Sequence, residues 1–205
     1  MILGYLLASS ALGVVGWLGN GIRRIGAISQ GKPIGQRAGT ALLMIDLQSV
    51  FWEQGPYTES VKSEAQTAIL DEVRAARENG WPIVAIRQEW SIPSTRFLAR
   101  MTMKGQAVEG TQGTELAQPF RGFADHELVK PVQDSFATGE LDVLLAGLGV
   151  GRLRIVGLDF NYCVQKTALA ARNRGFEVHV VRRGTLAAAP TGRAEDRMAA
   201  QQITV

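Results

Sequence analysis

The chain has 205 residues, 46% hydrophobic and 20% charged, enough for one globular domain with a sizeable core. Its single cysteine rules out an internal disulfide and, with only two histidines, gives no structural zinc cluster. The net charge of +3 sits in the first 40 residues, where Arg23, Arg24, Lys32 and Arg37 face no acid; the remaining 18 bases and 19 acids leave no excess for a nucleic-acid partner.

Met1 to Ile22 carries no charged side chain and is mostly apolar, and Arg23 and Arg24 follow it. About twenty such residues can span a bilayer. Basic residues behind the run place the following domain on the cytoplasmic side, and a secretory signal would have them in front. Ser9 and Gly13 form a pair of small residues that lets two such helices approach. Residues 1–28 are therefore expected as a hydrophobic helix and membrane anchor. The alternative is an amphipathic or partner-packed helix on a soluble oligomer. Ser29 to Gly39, with four glycines or prolines, reads as a linker, and 40–205 as the domain.

Thr40 to Asp46 is an apolar run ending in a carboxylate, as expected of a strand buried on both faces. Glu59 to Asn79 has helical periodicity through Val61, Ala65, Ala68, Ile69, Val73 and Ala76, and Gly80 stops it. Pro82 to Ile86 is a second strand. Residues 91–125 have no clear period and read as loop and short helix near a site. Glu127 to Lys130 is a third strand, Glu140 to Leu148 a helix, and Arg154 to Val156 a fourth strand closed by Gly157. A helix follows from about Cys163 to Gly175, then a fifth strand over Phe176 to Val181 and a short helix over Ala194 to Ala200. Ile203 to Val205 reads as an edge strand.

Strands alternating with helices predict an α/β fold, a mostly parallel sheet between two helix layers. Ligands in such folds bind beyond the carboxyl ends of the strands. Asp46, Lys130 and Cys163 all fall at such ends, so topology brings an acid, a base and a thiol together. Each alone has a bland reading: a turn residue, a surface amine, an inert cysteine. A cysteine at a helix N-terminus is expected to have a lowered thiol pKa, with free N–H groups beside it.

Three stretches carry a resemblance: ALLMIDLQSVF around Asp46, ELVKPVQDSF around Lys130 and IVGLDFNYCVQKTALAARNRGFEV around Cys163. Together, in this order, they resemble the isochorismatase-like cysteine hydrolases, a group that includes nicotinamidases and related amide and ureide hydrolases. The resemblance implies a catalytic triad of Asp46, Lys130 and Cys163 and a cis Leu158–Asp159 peptide. It also implies an oxyanion hole from the N–H groups of Asp159 and Cys163, and assembly as a homo-oligomer. Asp159 and Phe160 depart from the small residue and Thr that many relatives carry there.

Metal-containing nicotinamidases have an Asp and then histidines after the second strand. Here Glu89-Trp90-Ser91 stands in that place, and His126 and His179 read as structural, so neither a metal nor a cofactor is expected. Gln48, Phe51, Trp90, Phe136 and Tyr162 are the expected substrate-binding residues by position. The reaction implied is hydrolysis of a small linear amide, carbamoyl or ureido compound through a thioester. Three rivals stand beside it. One is a catalytically silent, membrane-tethered scaffold. Another is an ether hydrolase of the isochorismatase type, a branch that lacks the cysteine. The third is a peroxide-reactive thiol, which would have no resolving partner.

Overall fold

The structure, a computed structural model, describes residues 2–205, with residues 2–12 and 14 described at the backbone only. Five parallel strands form one sheet: β1 (Gly39–Ile45), β2 (Ile83–Gln88), β3 (His126–Lys130), β4 (Val150–Gly157) and β5 (Glu177–Thr185), in the order β3-β2-β1-β4-β5. Seven helices accompany them: α1 (Ile2–Gly26), α2 (Ser49–Trp52), α3 (Glu59–Glu78), α4 (Pro93–Thr102), α5 (Glu140–Gly147), α6 (Gln165–Asn173) and α7 (Gly192–Ala199).

The central strand shows why the sheet is layered on both faces. Along β1 alternate side chains point oppositely. Ala41, Leu43 and Ile45 join a core with Leu141 and Leu145 of α5, Ala168 and Ala171 of α6, and Met198 of α7. Leu42 and Met44 join a second core with Ala65, Ile69, Val73 and Ala76 of α3, Trp52 and Phe120. A strand apolar on both faces must have helices on both. Each of the buried leucine, isoleucine, valine, methionine and phenylalanine side chains contributes roughly 1.5–3 kcal/mol. On α3 the buried face is the expected one except for Val61, which is 46% exposed at the first turn, where its N–H donates to the Thr58 cap.

Chain order makes the sheet switch direction at β1. The chain runs outward through β2 and β3, then returns to lay β4 on the other side of β1. The crevice of such a sheet opens at that switch, above the carboxyl ends of β1 and β4. Gly157 ends β4 with φ 120°, and a side chain there would collide with the Ile45 carbonyl of β1. Glycine is required for that close approach.

The expected C-terminal edge strand reduces to a single bridge between Thr204 and His179. The aperiodic stretch 91–125 contains α4 and one 3-10 turn over Gln118–Phe120. At the N-terminus, α1 packs on α4, with the Trp17 and Phe97 rings 5.9 Å apart and Gly21 buried against Ser94 and Leu98. From Ser29 the chain crosses the domain without regular structure, donating from Ser29 N to Asp134 Oδ2 (2.7 Å) and from Ile34 N to the Arg174 carbonyl (2.9 Å). No helix among the described residues is long and apolar enough to cross a membrane. Most of the charge-free run behind the anchor expectation lies outside the residues whose side chains are described.

Candidate active site

Asp46 is the first residue after β1. Its backbone is left-handed, φ 53°, uncommon for a side chain other than glycine, and such strain concentrates at functional sites. Its N–H donates to the Ile86 carbonyl of β2, and its carbonyl accepts from Gln48 N at 2.7 Å. This tight turn lifts the carboxyl group off the strand direction.

Lys130 ends β3, two strands away, in register with Gln88 of β2. Its ammonium reaches over Gln88 and has a partner for each of its three protons: Gln88 Oε1 at 2.7 Å, Asp46 Oδ2 at 3.0 Å and Cys163 Sγ at 3.3 Å. The cluster is nearly sealed: Lys130 is 1% exposed, Asp46 2% and Cys163 8%. Cys163 lies in a single turn of π-helix, Phe160–Val164, that leads into α6. The wide turn follows the Leu158–Asp159 peptide, which is cis.

Electrostatics at the cluster follow from burial and mutual charge. Burial raises the Asp46 carboxyl above its ordinary value, and the Lys130 charge and the Cys163 thiol only partly offset this. Burial works against the Lys130 charge, but Asp46 and Cys163 outweigh it and leave its pKa raised. Burial and the Asp46 charge push the Cys163 thiol far above its ordinary range, against the pull of Lys130. The expected lowering of the thiol by a helix terminus is therefore corrected: desolvation beside a carboxylate outweighs it. Asp46 Oδ1 is buried without a donor that meets hydrogen-bond geometry, and the neighbouring Cys163 thiol is the group that can supply one.

Asp159 acts through its side chain. Its carboxylate accepts from Asn161 N (2.8 Å), Ala188 N (2.7 Å) and Tyr57 Oη (3.2 Å). Three segments thus meet on one side chain at the turn that carries Cys163. Tyr57 has its phenol pushed up by burial first, then by Asp159, Cys163 and Asp46, and stays protonated.

The expected pocket residues fare differently. Gln48 is fully buried, with both amide protons given to the carbonyls of Gln88 (3.0 Å) and Thr114 (2.8 Å) and its oxygen accepting from Gln88 N (2.7 Å). It clamps the end of β1 to β2, and its buried amide has no proton left for a ligand. Phe136 is 1% exposed and packs on Phe176 and under the Arg174 guanidinium, in the core rather than a pocket. Trp90 is buried among Val50, Ala99, Ala107 and Val108, its indole N–H without an acceptor. Phe51 is half-buried against the same group. Tyr162 is 51% exposed and lines a cleft of about 590 Å³ with Asn161, Gln165, Pro190 and Arg193. A second cleft, about 570 Å³, is lined by Arg87, Glu89, Thr114, Glu115 and Arg121. Neither wall includes Asp46, Lys130 or Cys163.

Two residues were not singled out from sequence. Gln88 shows there only as a polar end to an apolar strand, and Tyr57 gives no signal in its Gly-Pro-Tyr-Thr turn. As to metal, the donor set does not fit. Glu89 pairs with Arg87 at 2.8 Å, His126 opens β3 at the opposite end of the sheet, and His179 Nδ1 sits 2.9 Å from Thr204 Oγ1. Among the described residues no three His, Cys, Asp or Glu side chains cluster.

The isochorismatase domain family model matches residues 40–204. A protein of Arabidopsis thaliana described as a probable inactive nicotinamidase is 28% identical over 161 residues, 74% of this chain and 82% of that one. The crystal structure of pyrazinamidase of Pyrococcus horikoshii, in complex with zinc, superposes with a TM-score of 0.67 at 26% identity, covering 82% of this chain and 98% of that one. N-carbamoylsarcosine amidase from Thermoplasma acidophilum gives 0.69 at 22% identity, covering 82% and 95%, a likeness of fold.

Proposed function

Since the chain belongs to the isochorismatase family, we propose that it is a cysteine hydrolase that cleaves the C–N bond of a small amide, carbamoyl or ureido compound. One observation carries the reading: a buried ammonium, Lys130 Nζ, stands 3.0 Å from a carboxylate and 3.3 Å from the chain's only thiol.

In this reading Asp46 takes the Cys163 proton as sulfur bonds to the carbonyl carbon. Lys130 balances the charge that would otherwise build in a sealed site, and the thiol need not be ionised beforehand. The N–H groups of Asp159 and Cys163 receive the oxyanion, where one such donor is worth roughly a hundred- to a thousandfold in rate. Protonated Asp46 then passes its proton to the nitrogen as the C–N bond breaks, leaving a thioester and free ammonia or amine. Water attacks the thioester, Asp46 takes its proton, and the acid departs as the proton returns to sulfur. The Tyr57 phenol stays on Asp159 and steadies the turn that carries Cys163.

A silent relative remains the second reading, because one similar protein is described as inactive. Intact-mass analysis separates the two. After acid quench with a panel of slow amides and ureides, the proposal expects an added acyl mass that Cys163→Ala abolishes. No adduct and no turnover across the panel would favour the silent reading. Turnover of an isochorismate-like ether without an adduct would remove Cys163 from the role of nucleophile.

A further inference from the structure

The cleft of about 590 Å³ beside the turn that carries Cys163 falls within the roughly 300–1,000 Å³ of small-ligand sites. One wall is Asn161, Tyr162 and Gln165, the stretch around the nucleophile. The other is the loop at Ala189 and Pro190, followed by α7. Asn161 Nδ2 donates to the Ala189 carbonyl at 3.1 Å and ties the two walls. Gln165 sets this cleft apart from ordinary surface. It is 4% exposed and lines the cleft, and among the described residues its amide has no hydrogen-bond partner. Polar side chains buried to that degree are nearly always paired. Its amide therefore stands ready for a group that enters the cleft.

The facing wall is charged and unpaired. At about 100° per residue along α7, Ala194 and Met198 point into the core, while Arg193, Asp196 and Arg197 share one flank and line the cleft. Glu195 leaves on the other flank, where it takes Arg182 at 3.3 Å and Thr191 Oγ1 at 2.7 Å. No ion pair among the described residues neutralises Arg193 or Arg197, which stand one helical turn apart. Lys166, next to Gln165, has its ammonium pKa lowered by burial first and by Arg197 second. Two guanidinium groups against one carboxylate leave the wall cationic, and an anion set between them relieves that crowding.

A guanidinium fork fits a carboxylate, two N–H donors to two oxygens. Asp196 on the same flank works against a dianion. The half-exposed Tyr162 ring and Pro190 offer flat apolar surface beside the charge. We propose that this cleft binds a small planar monocarboxylate. Its oxygens lie on Arg193 and Arg197, the Gln165 amide donates to the same group from the facing wall, and its ring lies against Tyr162 and Pro190. Neither Asp46, Lys130 nor Cys163 lines the cleft, so the ligand is held apart from the reacting sulfur. It bears on the nucleophile's turn all the same, because Ala188, beside Ala189, donates to Asp159 Oδ2 at 2.7 Å.

The test is a ligand-observed NMR titration of benzoate into the full chain, with benzyl alcohol as the neutral control. Benzoate is expected to bind, and benzyl alcohol neither to bind nor to displace it. Arg193→Gln with Arg197→Gln should weaken benzoate about tenfold or more, and Gln165→Leu about tenfold. Arg193→Lys with Arg197→Lys keeps the charge and loses the fork, so a loss of about threefold is expected. Asp196→Asn should tighten binding about threefold. Thermal melts must show each variant folded. If Gln165→Leu is not, Gln165→Glu replaces it, with at least the same loss expected. Three outcomes overturn the proposal. Benzoate does not bind. Benzyl alcohol displaces it. Or the paired arginine-to-glutamine variant binds as the wild type does, which would place benzoate elsewhere on the chain. None depends on turnover, so the hydrolase reading stands or falls separately.

Discussion

Gln88 and Lys130 exchange two hydrogen bonds: Gln88 Oε1 accepts from the ammonium at 2.7 Å, and Gln88 Nε2 donates to the Lys130 carbonyl at 3.0 Å. The amide therefore fixes both the head and the backbone of the lysine. Gln88→Leu would leave one ammonium proton unpaired in a site with 1% exposure. A lost partner of that kind costs about 1–3 kcal/mol. The expected outcome is a lower denaturation midpoint with unchanged slope, and a fall in kcat larger than any change in KM. Unchanged stability and kcat would show that the lysine is held by Asp46 and Cys163 alone.

Cys163→Ala and Asp46→Asn should each abolish turnover while circular dichroism and melting show a folded protein, because Asn keeps an acceptor for Lys130 Nζ. Residual activity above about a thousandth of wild type in either variant would mean the roles are misassigned.

The rate should fall on the acid side through a pKa above the ordinary aspartate value of about 4. Burial raises Asp46, and the proposed mechanism needs its ionised form to accept the thiol proton, so acidification removes the base. On the alkaline side Lys130 is raised by Asp46 and Cys163 once their attraction exceeds its burial, so its deprotonation lies above about 10.4. A kcat/KM profile still flat below pH 4 would contradict this assignment.

Exhaustive chelation should leave hydrolysis unchanged, because neither histidine reaches the carboxyl ends of the strands. Loss of activity with chelator, restored by a divalent ion, would require ligands other than Glu89, His126 and His179.

Phe136→Ala should behave as a core truncation and not as a pocket mutation. A loss of about 3–5 kcal/mol in stability is expected, since Phe176 and Arg174 would border the void. An altered KM with unaltered stability would return Phe136 to the substrate.

What could be read from sequence was whatever depends on chain-local pattern. The apolar run before Asp46 predicts a doubly covered strand, and β1 sends alternate residues into two cores. Strand ends bring Asp46, Lys130 and Cys163 to one edge, and they meet there. What escaped depends on where side chains of distant segments point. Phe136 follows Lys130 by six residues, yet it faces the core under Arg174. Gln48 sits two residues from Asp46, yet its amide is consumed by backbone of β2 and of residue 114. A helix terminus is visible in sequence, whereas the burial beside Asp46 that raises the thiol is not.

Asp159 has a consequence for how this protein can change. Its carboxylate ties the turn holding the cysteine to Tyr57 in one loop and Ala188 in another. Grafting either loop from a relative to alter selectivity would cut a strand of that tie, so the loops cannot be exchanged as independent modules. A transplant that keeps both loop donors to Asp159 Oδ2, the hydroxyl at 57 and the N–H at 188, should preserve the spacing between nucleophile and base. One that does not should cost activity toward every substrate alike, old or new.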